Sequence, residues 1–237
     1  LALLAGCAQD TPPPASLPNA VRFVDVTAEA GITFAHTSGR SGRKYGVETI
    51  GSGAAFWDYD EDGRVDLFVV NSAALPGYTG PAKVSDALYH NQGQGRFSEV
   101  AAQAGLADTS YGMGCTTGDY DNDGDPDLFV TNFGFNVLYR NEGLRGEGRR
   151  FADVTGRTIL GQEAGWHTGC AFADCDLDGD LDLYVATYLD YSFEGDLLDQ
   201  GGRLQRPRRH LAPTEYPGKR DFLFRNDGGE SFVDMTR

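Results

Sequence analysis

The pattern D-x-D-x-D-G-x-x-D occurs three times in this sequence, beginning at Asp58, Asp119 and Asp174. Each copy stands at the same place in a larger repeat. The segment Phe23-Val24-Asp25-Val26-Thr27 recurs as Phe97-Ser98-Glu99-Val100, as Phe151-Ala152-Asp153-Val154-Thr155 and as Phe232-Val233-Asp234-Met235-Thr236. An L-Y-x-N-x-G segment follows each acidic stretch, at Leu88–Gly93, Leu138–Gly143 and, with Phe replacing Tyr, Leu223–Gly228. The apolar runs between them are short: Leu67–Val70, Leu128–Thr131 and Leu183–Ala186. At that length, β-branched and aromatic residues read as strand rather than helix. Glycine, 32 of 237 residues, is about twice its ordinary share and favours many tight turns.

Constant motifs at uneven spacings of 74, 54 and 81 residues predict a repeated framework with loops of variable length. The predicted fold is all-β: a partial β-propeller of about three blades plus the start of a fourth, with an acidic loop between two strands of each blade. The units span residues 23–96, 97–150 and 151–231, and a further one opens at 232. That opening, and a first residue other than Met, predict an internal piece of a longer protein.

The acidic loops carry the chemistry. Loop one contains Asp58, Asp60, Asp62 and Asp66; loop two, Asp119, Asp121, Asp123 and Asp127; loop three, Asp174, Asp176, Asp178 and Asp182. Four carboxylates within nine residues repel one another unless a positive charge sits among them. Alternate spacing turns the first three toward one centre, and the glycine bends the chain to return the fourth. A hard cation with six to eight oxygen ligands suits this arrangement, and Ca²⁺ fits better than Mg²⁺. By analogy with other calcium loops, the backbone carbonyls of Arg64, Asp125 and Asp180 complete the sets. No His or thiolate is common to the three loops, which argues against Zn²⁺. An EF-hand needs Glu at position twelve and flanking helices; Val69, Val130 and Val185 stand there instead. The loops hold 15 of the 35 acidic residues and only Arg64 as a base, so −14 of the −15 net charge belongs to them. About three Ca²⁺ ions are expected.

The N-terminus carries a second signal. Leu4-Ala5-Gly6-Cys7 has the form of a bacterial lipobox, so residues 1–7 read as the end of a lipoprotein signal peptide with Cys7 as the acylated residue. Residues 8–22, with Pro12-Pro13-Pro14 and Pro18, read as an extended linker. Expected localisation is extracytoplasmic, at the cell envelope or surface (the outer membrane of a Gram-negative cell), with the membrane reached only through the lipid. No apolar run approaches a transmembrane helix, and the acidic balance argues against nucleic acid.

Together, the Phe23–Thr27 segment, the three D-x-D-x-D-G-x-x-D-L stretches and the L-Y-x-N-x-G segments resemble FG-GAP/VCBS-type calcium-binding repeats, as in the integrin α-subunit propeller. They are more closely similar to bacterial relatives of cartilage acidic protein that carry an ASPIC/UnbV domain. The resemblance runs from about Phe23 to Arg237 and implies an extracellular propeller with Ca²⁺ in its blades; the family's later blades and C-terminal domain are absent here.

Weaker signals remain. Cys115 and Cys170 occupy the place of Ala54 in the repeat, where a small residue packs and a disulfide between blades is an open alternative; Cys175 lies within loop three. His167 beside Trp166 reads as structural or pocket-lining. The basic stretch from Arg203 through Arg206, Arg208, Arg209 and His210 to Lys219 and Arg220 reads as a solvated loop or a binding loop. With no nucleophile elbow and no HExxH, the expected function is a non-enzymatic module for adhesion or for protein or carbohydrate interaction. The alternative is a propeller enzyme acting on an extracellular polysaccharide.

Overall fold

A computed structural model of the chain describes residues 21–81, 84–145, 148–193, 214 and 216–236. Twelve strands form among them. The first sheet is a four-stranded antiparallel meander of β1 (Ala54–Trp57), β2 (Asp66–Val69), β3 (Ala87–Gly93) and β4 (Arg96–Glu99). The second repeats it with β5 (Gly112–Gly118), β6 (Asp127–Gly134), β7 (Val137–Arg145) and β8 (Gly148–Asp153). The third uses β9 (Gly165–Ala173), β10 (Asp182–Thr187), β11 (Phe222–Asn226) and β12 (Phe232–Asp234). Pairing of Phe133 with Trp166 joins β6 to β9. Between β4 and β5 lies a single helical turn, α1 (Ala101–Ala104). The fold is a partial β-propeller.

Side-chain alternation explains why these sheets stack as blades. In β2, Asp66 and Phe68 are buried while Leu67 and Val69 are half-buried; in β11, Phe222, Phe224 and Asn226 are buried. A strand buried on one face needs an apolar partner there. Phe68 and Leu88 of the first blade therefore meet Leu128 and Val130 of the second, with Trp57, Tyr59 and Phe151 filling the seam. Phe129 and Leu138 of the second meet Leu183, Val185 and Phe222 of the third. A third cluster of Tyr45, Leu75, Tyr111, Met113, Trp166 and Leu189 closes the end of the blades away from the acidic loops. The innermost strands approach closely: Gly53 N–H donates to the Met113 carbonyl at 2.9 Å. A Cβ on Gly114 would run into the Thr168 carbonyl, so only glycine fits.

The blades are out of phase with the sequence units. The F-x-[D/E]-V segment closes a sheet instead of opening one, because its Phe pairs with the Asn of L-Y-x-N-x-G: Asn91 with Phe97, Asn141 with Phe151 and Asn226 with Phe232. Phe151 and Phe232 are thereby buried, whereas Phe23, which pairs with no strand among the described residues, is 93% exposed. Residues 232–234 are thus the outer strand of the third blade. Cys115 and Cys170, on β5 and β9, are free thiols, and burial pushes the pKa of each up to about 12. Cys7 and nearly all of the linker lie outside the described residues.

Asp86, just before β3, is 3% exposed. Its Oδ1 accepts the Asn71 N–H at 2.6 Å, and its Oδ2 is buried with no partner among the described residues. Burial, aided by nearby Asp108 and opposed by the Asn71 bond, pushes its pKa up to about 8. The fold therefore favours the neutral acid: this stabilisation is complete below the unfolded value of about 4 and is lost as pH rises through about 8. Asp86→Asn should flatten the fall in melting temperature across that window. Superimposable profiles for the two proteins would refute the assignment.

Candidate metal centres

Each acidic loop joins the innermost strand of a blade to the next one: β1 to β2, β5 to β6 and β9 to β10. The first Asp of each loop shapes the turn. Asp58 accepts the N–H groups of Asp62 (3.1 Å) and Gly63 (2.8 Å). Asp119 accepts those of Asp123 (3.1 Å) and Gly124 (3.0 Å), and Asp174 those of Asp178 (3.2 Å) and Gly179 (3.1 Å). The third Asp, at 62, 123 and 178, accepts the N–H two residues on, from Arg64, Asp125 and Asp180, each at 2.9 Å. The turn takes left-handed backbone twice. The second occurrence is Gly63, Gly124 or Gly179, at φ +82°, +97° and +100°; the first is Glu61, Asn122 or Leu177, at φ +57°, +57° and +64°. Three unrelated residue types at that first position gave no sequence signal.

The fourth Asp is the buried anchor. Asp66 and Asp127 are fully buried and Asp182 is 2% exposed. In each, one oxygen accepts an N–H at the loop entrance and the other accepts the N–H of the L-Y-x-N-x-G asparagine. The distances are 3.2 Å from Tyr59 and 2.7 Å from Asn91, 3.0 Å from Tyr120 and 2.8 Å from Asn141, and 2.9 Å each from Cys175 and Asn226. The asparagine side chain then bonds the carbonyl preceding that Asp: Val65 for Asn91 (2.8 Å), Pro126 for Asn141 (3.2 Å) and Leu181 for Asn226 (3.3 Å). It also reaches across blades. Asn141 Nδ2 donates to the Tyr59 carbonyl of loop one (3.1 Å), and Asn226 Nδ2 to the Tyr120 carbonyl of loop two (2.7 Å). Loop two also meets loop three directly, Asn122 Nδ2 donating to Asp180 Oδ1 at 2.7 Å.

The geometry draws the first, second and fourth carboxylates together. One oxygen from each of Asp58, Asp60 and Asp66 lies within 4.8 Å of the others, and the same holds for Asp119, Asp121 and Asp127 and for Asp174, Asp176 and Asp182. Asp60 Oδ1 and Asp121 Oδ1 are buried with no hydrogen-bond partner among the described residues. Such orphaned oxygens are costly unless something positive or hydrogen-bearing faces them. Burial raises the pKa of Asp60, Asp66 and Asp121, and pushes Asp127 up to about 8 against the opposing Asn141 and Tyr120 N–H bonds. These all-oxygen sets suit a hard cation. At position seven, the Arg64 side chain pairs with Asp62 and donates to the Asn91 carbonyl at 2.6 Å.

The other singled-out residues lie elsewhere. His167 is buried, with Nδ1 2.9 Å from Asn136 Oδ1; burial, then nearby Lys219, pushes its pKa down to about 4. It lines a cavity of about 130 Å³ with Phe222, Phe224 and Glu163, near the end of β9 remote from loop three. Arg203, Arg206, Arg208, Arg209 and His210 fall outside the described residues. Lys219 caps the Ala164 carbonyl at 3.1 Å, and Arg220 pairs with Glu163 (3.5 Å) and Asp234 (3.3 Å).

The sequence matches the FG-GAP-like repeat family over residues 58–130 and 119–185, ranges that take in all three acidic loops. The chain belongs to that family. It is 27% identical over 168 residues to cartilage acidic protein 1 of Xenopus tropicalis and to that of Homo sapiens. The aligned part is 69% of this chain but 23% and 22% of those proteins, so the chain spans under a quarter of their length.

The asparagine bridges give a ranked expectation. Asn141→Ala removes bonds to Tyr59, Pro126 and Gly143, whereas Asn91→Ala removes bonds to Val65 and Gly93 alone. In urea unfolding Asn141→Ala should cost about 1–2 kcal/mol more than Asn91→Ala. Equal losses would mean that the inter-blade bond carries no weight.

Proposed function

We propose that this chain is an extracytoplasmic, calcium-binding β-propeller repeat module that serves adhesion or interaction with a protein or carbohydrate ligand, tethered by a lipid on Cys7. The observation that carries the reading is the convergence of three carboxylates in each loop, with buried, unpartnered oxygens at Asp60 and Asp121. A bound Ca²⁺ supplies the positive charge that these oxygens lack. The carbonyls of Arg64, Asp125 and Asp180, with Asp62, Asp123 and Asp178, complete the oxygen shells. The ion's part is structural: it fixes each turn and, through the asparagine bridges, the seam to the neighbouring blade. The protein's loops at the two ends of the blades are then rigidly displayed for a partner.

Calorimetry on the whole chain should detect Ca²⁺ binding, and Asp121→Asn should remove the equivalent bound at loop two. Chelator should lower the melting temperature. Absence of binding heat together with an unchanged melting temperature would dismiss the calcium reading. For the tether, mass spectrometry of protein from the membrane fraction should find acyl chains on Cys7; an unmodified, soluble Cys7 would dismiss it.

A further inference from the structure

The three loops are not equivalent, and the difference comes from outside them. The x of L-Y-x-N-x-G is His90 in the first blade but Arg140 and Arg225 in the others. Both arginines turn to nearby acids outside the loops: Arg140 to Glu142 and to Glu230 (3.3 Å), and Arg225 to Asp227 (2.6 Å). His90 instead faces the carboxylates of loop one. Its Nδ1 lies 3.3 Å from Asp60 Oδ2 and 3.5 Å from Asp66 Oδ1, and its Nε2 lies 4.0 Å from Asp62 Oδ2. One edge of the ring packs on Tyr59, with centroids 6.0 Å apart.

His90 Nδ1 and Asp60 Oδ1 are both buried, and neither has an aligned hydrogen bond among the described residues. One ligand atom from each of His90, Asp60 and Asp62 lies within 4.8 Å of the other two. The spacing alone does not choose the ion: ligand pairs about 3.3–3.4 Å apart fit a tetrahedral centre with bonds near 2.0 Å or an octahedral one with bonds near 2.4 Å. The nitrogen donor does choose. Imidazole with carboxylates favours borderline first-row cations, whereas all-oxygen sets favour Ca²⁺.

We infer that loop one, through His90 with Asp60 and Asp62, takes a first-row divalent cation of the Zn²⁺ type in place of Ca²⁺ at a mixed nitrogen–oxygen site, leaving the all-oxygen sites to loops two and three. The inference rests on the reading of the loops as cation sites, yet it can fail separately. The test uses the whole chain in saturating Ca²⁺, titrated with Co²⁺ as a spectroscopic probe and with Zn²⁺ by calorimetry. One equivalent of either should bind, and Co²⁺ should develop visible absorption from a nitrogen–oxygen site. His90→Gln should weaken that equivalent by about 100-fold or more. His90→Arg, which installs the residue found in the other two blades, should do the same while folding normally by circular dichroism. Neither variant should change Ca²⁺ binding at loops two and three. Equal Co²⁺ affinity in wild type and His90→Arg, or full displacement of Co²⁺ by Ca²⁺ in the wild type, would overturn the inference and leave the calcium reading standing. Co²⁺ binding that depends on His90 in a protein that takes up no Ca²⁺ would do the reverse.

Discussion

A single buried carboxylate in each blade does what no backbone pairing there can. Asp66, Asp127 and Asp182 each accept one N–H from the start of their own loop and one from the third strand of the blade. The loop is thereby pinned at both ends and tied to an asparagine 14 to 44 residues further along the chain. In the second and third blades the asparagine that supplies the second N–H, Asn141 or Asn226, carries the connection onward into the loop of the preceding blade. Apolar seams press the blades together without direction. These polar bridges set their register, because a buried donor or acceptor left unmatched costs about 1–3 kcal/mol.

The same arrangement gathers negative charge. Almost all of the chain's excess charge lies in three loops at one end of the blades. Burial first, and repulsion between neighbouring carboxylates after it, raises the pKa values of Asp60, Asp66, Asp121 and Asp127. A cation held there would offset both costs, and the residues that would hold it are the ones that tie the loops to the blades. His90, standing where the other two blades carry Arg140 and Arg225, makes one of the three loops chemically unlike its siblings.

Much of this was legible in the sequence because it repeats. The D-x-D-x-D-G-x-x-D spacing marked the loops, and Val69, Val130 and Val185 placed strands after them. The phase of the blades was not legible: nothing in Phe97-Ser98-Glu99 says that it ends one sheet rather than begins the next, since that depends on pairing with Asn91. The left-handed residues Glu61, Asn122 and Leu177 share a backbone demand and no chemistry. His90 was visible as a departure from arginine at 140 and 225, but its meaning required knowing that β3 runs beside loop one. The asparagine bridges needed two blades in place before their partners existed.

Amide hydrogen exchange with and without Ca²⁺ tests the central coupling directly. The account predicts that Ca²⁺ slows exchange at the loop amides of Asp123, Gly124, Asp178 and Gly179. It predicts the same at Tyr120, Asn141 and Asn226, whose N–H groups bond the buried anchors. Slowing confined to the loops, or no slowing anywhere, would contradict it.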